Sequence, residues 1–128
     1  NREEVRVVDD QIGCPTPAIC IAEVLLKLGE GVISGKNEWG IYHYCGWPKT
    51  SWYGFAKTIF LHAAERGIGV PGLTRVSTRE YKSRVNRPLE VRMECAKIKN
   101  IWGSERPDWR PSVHEYLEMK WPKGSLEK

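Results

Sequence analysis

No apolar run in this 128-residue chain approaches the ~20 residues that a helix needs to cross a bilayer, so the sequence excludes a transmembrane helix. Its start, NREEVRVVDDQ, lacks the basic region, apolar core and small-residue cleavage site of a secretory signal. It also lacks an initial methionine, in keeping with a cut or processed piece of a longer protein. Cysteine is sparse: Cys14, Cys20, Cys45 and Cys95 are scattered with no CxxC pair, which excludes a zinc ribbon or a thioredoxin-type site. The four are expected to be reduced thiols acting as small buried hydrophobes in a cytoplasmic protein. No GxGxxG and no P-loop follows a strand, so no pyrophosphate cradle is encoded and no cofactor is expected on this chain. A basic stripe is missing too. The net charge of +4 comes from 20 Lys and Arg interspersed with 16 Asp and Glu. The nearest approach to a stripe, KIKNIWGSERPDWR, places Ile98, Ile101 and Trp102 on a helical core face, so a nucleic-acid partner is not expected. Repeats and low-complexity tracts are absent.

What is present suits one domain, since a chain of this size buries roughly two-thirds of its unfolded surface. VRVVDD, from Val5, reads as a strand and turn. The stretch from Cys14 to Gly31 reads as a helix with Thr16 as cap, Pro17 at its first position, Ile21, Val24, Leu25 and Leu28 as its buried stripe, and Gly29 or Gly31 closing it. Alternation in Ile41, Tyr42, His43, Tyr44 and Cys45 suggests a strand stopped by Gly46 and Pro48. A helix follows, capped by Thr50 or Ser51, with an apolar face of Trp52, Phe55, Ala56, Ile59, Phe60 and Ala63, and closed by Gly67. VPGLTRVSTREY adds a short strand and loop. Two short helices end the chain, one closed by Gly103 and one capped by Asp108. The order strand, helix, strand, helix, strand indicates an α/β fold, a small mixed or parallel sheet with flanking helices. The domain is expected to span 1–121, and 122–128 to form a flexible tail.

Chemistry-bearing residues form no self-evident site. His43, His62 and His114 lack a nucleophile or acidic partner at interpretable spacing. Glu3 and Glu4 with Asp9 and Asp10 could hold a hard cation, but paired carboxylates at turns are usually solvated. Tyr53 and Lys57 have the four-residue spacing by which an ammonium lowers a catalytic tyrosine's pKa. They lie on an amphipathic helix without the accompanying Ser/Thr or dinucleotide-binding strands, and are read as a surface pair.

The segments VRVVDDQIGCPTPA, GIYHYCGWPKTSWYGFAKTIF, STREYKSRVNRP and KIKNIWGSERPDWRPSVHEYL occur in an order and spacing that resemble dTDP-4-dehydrorhamnose reductases over nearly the whole chain. These are extended short-chain dehydrogenase/reductases that use NADPH to reduce dTDP-4-dehydro-L-rhamnose to dTDP-L-rhamnose. The resemblance is to their C-terminal, substrate-side part. It implies that the glycine-rich loop, catalytic Ser/Thr and Tyr/Lys pair lie in an N-terminal part not carried here. No catalytic or cofactor residue is therefore assigned, and the chain alone is expected to be inactive. NADPH is implied for a full-length parent, and the family also admits Mg2+. By resemblance, Asp10, Gln11, Gly13, Pro15 and Thr16 match a substrate-side loop, with turn and cap chemistry as the alternative reading. Arg87, followed by Pro88, matches an arginine that reaches the diphosphate, for which a guanidinium fork is suited. The family commonly has a Ser and then Leu-Asp after that pair, where this chain has Val91, Met93 and Glu94, and Lys82 replaces a frequent proline. The loop has therefore diverged. The partners implied are a dTDP-sugar nucleotide and, through apolar surface normally covered by the rest of the parent, a second copy of the chain. A stand-alone sugar-nucleotide-binding or self-associating module and a basic nucleic-acid-binding domain are the alternative readings.

Overall fold

In the computed structural model, which describes residues 3–83 and 85–122, the first and fourth strands run side by side. β1 (Glu4–Val8) pairs in parallel with β4 (Gly72–Val76), in a register from Glu4 opposite Gly72 to Val8 opposite Val76. Between them come β2 (Ile12–Gly13), α1 (Ala18–Ile33), β3 (Thr50–Ser51) and α2 (Trp52–Ala64), with β2 and β3 forming a short antiparallel pair. After β4 follow α3 (Thr78–Tyr81), α4 (Ala96–Trp102) and α5 (Trp109–Lys120). Small parallel and antiparallel pairs flanked by helices match the expected α/β class. The expected tail lies, beyond Pro122, outside the described residues.

Cys45, Cys95, Ile98 and Trp102 form the buried centre, with Val24, Leu28, Tyr42, Tyr44 and Ile101 packed around it. Ile98 and Trp102 therefore occupy the core face read from the sequence. Phe55 of α2 meets Trp109 of α5 edge to face with ring centroids 5.3 Å apart, and the Trp109 indole N–H donates to the Pro48 carbonyl at 2.6 Å. Ser51 caps α2 by accepting from the Gly54 N–H at 2.9 Å, and Asp108 caps α5 by accepting from the Arg110 N–H at 2.9 Å. Gly103 ends α4 at φ +61°, a left-handed position that glycine takes without strain.

Four local expectations need correction. Residues 41–45 form no strand, although their burial alternates as expected, with Ile41 and His43 exposed, Tyr42 and Tyr44 half-buried and Cys45 buried. Side chains satisfy the carbonyls at the two ends of this segment: Lys97 donates to Ile41 O at 3.1 Å and Arg106 to Cys45 O at 3.3 Å. Thr16 does not cap α1. Pro17 stands at that cap position without a side-chain hydrogen bond, while Thr16 Oγ1 donates to Cys14 O and accepts from the Gly46 N–H, both at 3.0 Å. The helix also runs through Gly29 and Gly31 to Ile33. A Cβ on Gly31 would come within 2.5 Å of the Trp102 ring, so this glycine serves close packing rather than termination. Of the expected α1 stripe, Val24 and Leu28 are half-buried, whereas Ile21 and Leu25 are exposed.

Candidate functional site

The segment from Asp9 to Thr16 winds between the parallel pair and α1, and long-range hydrogen bonds hold it almost residue by residue. Asp9 accepts from the Ser51 hydroxyl and pairs with Arg75 at 3.0 Å. Asp10 turns away from the cleft. Its carboxylate accepts from the Thr78 N–H at 2.9 Å and the Thr78 hydroxyl at 2.6 Å, tethering the first turn of α3. Those two bonds, the hydroxyl's first, hold the Asp10 carboxyl below its ordinary pKa because they favour the charged form. Gln11 is buried, and its amide donates to the same Thr78 hydroxyl at 3.0 Å.

Ile12 carries the step that makes a site. Its N–H donates to Leu89 O at 2.7 Å, and its carbonyl accepts from the Val91 N–H at 2.8 Å. The two bonds lay the Arg87–Pro88 loop along β2. A cleft of about 510 Å³ results, lined on one side by Gln11, Gly13, Pro15 and Thr16 and on another by Arg87, Pro88 and Val91. Gln11, Thr16 and Arg87, selected from the sequence as substrate contacts, thus share one cavity, and Asp10 does not line it. Arg87 is exposed, and no hydrogen bond or ion pair engages its guanidinium among the described residues. A free fork at the rim of a cavity is suited to a ligand with paired anionic oxygens.

Sequence reading missed the apolar floor. Trp52 and Phe55 lie one helical turn apart at the start of α2 and line the cleft, and Trp52 is 56% exposed although its spacing read as core. Ser51 capping of α2 aims that first turn at the cavity. Arg106 was also missed, because it sits in the only basic-looking stretch. Its guanidinium instead lies inside, donating to Gly46 O at 2.6 Å and stacking beneath Trp47 with its centre 5.2 Å from the ring centroid. It thereby fastens the Gly46 turn to the far wall. The neighbouring cations are engaged within the chain as well: Lys99 pairs with Glu105 at 3.0 Å and Arg110 with Asp108 at 2.5 Å.

No group of three or more His, Cys, Asp or Glu side chains among the described residues is placed to hold a metal ion. The Mg2+ admitted by the resemblance therefore finds no fitting donor set there. Tyr53 lies beneath Arg75, whose guanidinium carbon is 4.8 Å from its ring centroid, and His62 packs edge-on against His114 at 5.3 Å.

Comparison with known proteins matches residues 1–120 to the RmlD substrate binding domain. A dTDP-4-dehydrorhamnose reductase of Aggregatibacter actinomycetemcomitans is 37% identical over 116 residues, covering 88% of this chain and 40% of the relative. The crystal structure of a dTDP-4-dehydrorhamnose reductase ortholog from Clostridium acetobutylicum superposes with a TM-score of 0.76 at 31% identity, over 93% of this chain and 39% of that one. That of Bacillus anthracis, in complex with NADP, gives 0.75 at 28% identity, over 92% and 39%. The chain spans about two-fifths of the length of the relatives it matches.

Proposed function

The chain belongs to the RmlD substrate-binding domain family, and from that premise we propose that its cleft holds the sugar nucleotide in a dTDP-4-dehydrorhamnose reductase. The observation that carries this reading is the convergence of Gln11, Thr16 and an unpaired Arg87 on one cavity. In this proposal the Arg87 fork takes the diphosphate, and the apolar surface of Trp52 and Phe55 covers a ring of the ligand. Among the described residues no donor engages the side-chain Oε1 of Gln11, which is left to accept from a ligand hydroxyl, since it is the amide nitrogen that bonds Thr78. Asp10 acts one step back, by holding α3 beside Gln11.

The chemistry of the parent enzyme needs a hydride for the 4-keto carbon and a proton for its oxygen. The proposed source of the hydride is NADPH bound by another part of the parent, so this chain by itself supplies binding and orientation rather than turnover. The cytoplasm is the compartment proposed, in keeping with four free cysteines. No helix among the described residues is long and apolar enough to cross a membrane. Self-association is proposed from α1, which has no buried residue and leaves Leu25 and Leu26 63% and 69% exposed.

Calorimetric titration with dTDP-L-rhamnose tests the assignment. The chain should bind it, and Arg87→Ala should weaken binding by roughly ten- to a hundredfold, the equivalent of about 1.5–3 kcal/mol for a hydrogen bond to a charged group. Arg87→Lys should restore part of the loss, because it returns the charge without the planar fork. Since Arg87 has no partner among the described residues, its removal should leave Tm unchanged. Equal affinities of wild type and a folded Arg87→Ala variant would reject the site.

A further inference from the structure

Three of the four cysteines gather at the edge of the cleft, and the proposed nucleotide contacts assign them no role. Cys45 Sγ and Cys95 Sγ lie 3.7 Å apart, in residues only 2% and 4% exposed, and both thiols face the Met93 carbonyl. Arg106 Nη2 stands 3.3 Å from Cys45 Sγ and 3.3 Å from the sulfur of half-buried Cys14. A thiolate is the attacking species in disulfide exchange, and a fixed neighbouring cation stabilises it. Cys45 also lines the cleft, so a small opening of that wall would bring its buried sulfur within reach of an oxidant entering the cavity.

We infer that Cys45 and Cys95 form a reversible dithiol–disulfide site, oxidised by a low-molecular-weight disulfide entering through the cleft. Cys45 gives up its proton, and its thiolate attacks one sulfur of the oxidant. A mixed disulfide forms, and the departing small thiolate takes a proton. Cys95 then gives up its proton and attacks the Cys45 sulfur, releasing the second small thiol. One protein S–S bond has formed and the oxidant's S–S bond has broken. Two protein thiols are oxidised, and two small thiols carry away the protons and electrons.

The geometry limits the movement required. The sulfurs must close from 3.7 Å to a bond of about 2.05 Å. Cys45 lies in irregular chain and Cys95 at the N-cap of α4, so neither is held in a strand ladder. Cys14 is the competing partner, because it shares the guanidinium. Burial pushes the pKa of the Cys14 and Cys95 thiols up alike, so it is the 3.7 Å approach of the Cys45 and Cys95 sulfurs that selects the pair. Cys20, on α1, lies outside the cluster. Because Cys45 and Met93 both line the cleft, the disulfide would clamp two of its walls together.

The test exposes the full chain to increasing ratios of oxidised to reduced glutathione, followed by acid quench, alkylation, tryptic digestion and mass spectrometry. Cys45 falls in peptide 37–49, Cys95 in 93–97, and Cys14 with Cys20 in 7–27, so each pairing has its own product. A linked 37–49/93–97 species is expected, lighter than the two reduced peptides by two hydrogens and lost on adding reductant. It should vanish in Cys45→Ser and Cys95→Ser and persist in Cys14→Ser. Three results would overturn the inference: a link from 7–27 to 37–49, glutathione retained on Cys45, or no link in the folded chain at a ratio that oxidises the urea-unfolded one.

Discussion

Replacing Gly46 by alanine should loosen the cleft wall from within. Gly46 is buried, and a Cβ there would collide with the Pro15 carbonyl oxygen, lie 3.1 Å from the Pro15 carbonyl carbon and 3.4 Å from Pro107 O. All three atoms are backbone, so no side-chain rotation relieves the collision. Overpacking of this kind costs about 1–3 kcal/mol. A shift of the turn also strains the 3.0 Å bond from the Gly46 N–H to Thr16 Oγ1 and the 2.6 Å bond from Arg106 to Gly46 O. The opposing effect, a less flexible unfolded chain, is worth about 0.4–1 kcal/mol, so the clash wins. The net loss, about 1.3 kcal/mol at the middle of the two ranges and at most about 2.6 kcal/mol, corresponds for a domain of this size to a fall in Tm of roughly 5 °C and at most about 10 °C. Gly29→Ala supplies the control: it lies in α1 with nothing within 4 Å of the new Cβ, and should gain about 0.5–1 kcal/mol from helix propensity. Thermal melts followed by circular dichroism measure both. If Gly46→Ala melts at or above wild type, the close approach of Pro15 and Gly46 is not what shapes this wall.

Stability should depend on pH through Asp10. Its pKa is lowered by the Thr78 hydroxyl and then the Thr78 N–H, so its contribution is complete above the unfolded value of about 3.9 and is lost as pH falls through the lower folded value. Asp10→Asn should therefore flatten the acid limb of a Tm–pH curve, and an unchanged limb would reject the coupling. The exposed Leu25 and Leu26 of α1 should make sedimentation concentration-dependent. Leu26→Glu should shift the chain toward monomer, while a constant sedimentation coefficient in wild type would count against self-association.

Local signals in the sequence survived where their chemistry is local. Ser51, Gly103 and Asp108 end or begin helices through bonds to residues a turn away. Glu94 is no Asp, yet its carboxylate still accepts from the Ala96 N–H at 2.8 Å at the start of α4. The segment 41–45 shows the limit. Side-chain alternation reports which residues face inward, but a ladder needs a partner, and here Lys97 and Arg106 take that place from more than fifty residues downstream. Arg87 had the same difficulty. Its nearness to Gln11 depends on Ile12 pairing with Leu89 and Val91, a pairing no periodicity announces, so only the family resemblance singled it out. Arg106 was missed because a half-buried guanidinium set among carbonyls leaves no compositional trace.

The long reach of Arg106 also sets an order in time. Its bond to Cys14 spans 92 residues and its bond to Gly46 spans 60. A ribosome adding about 5–20 residues per second needs roughly 5–18 s to travel from the first of these partners to the arginine. Throughout that interval α1 and α2 can form from their own turns, while the Cys14 and Gly46 walls are joined through Thr16 but not yet locked by the guanidinium. The cleft is thus closed late in synthesis, by a residue outside the segments that supply most of its lining.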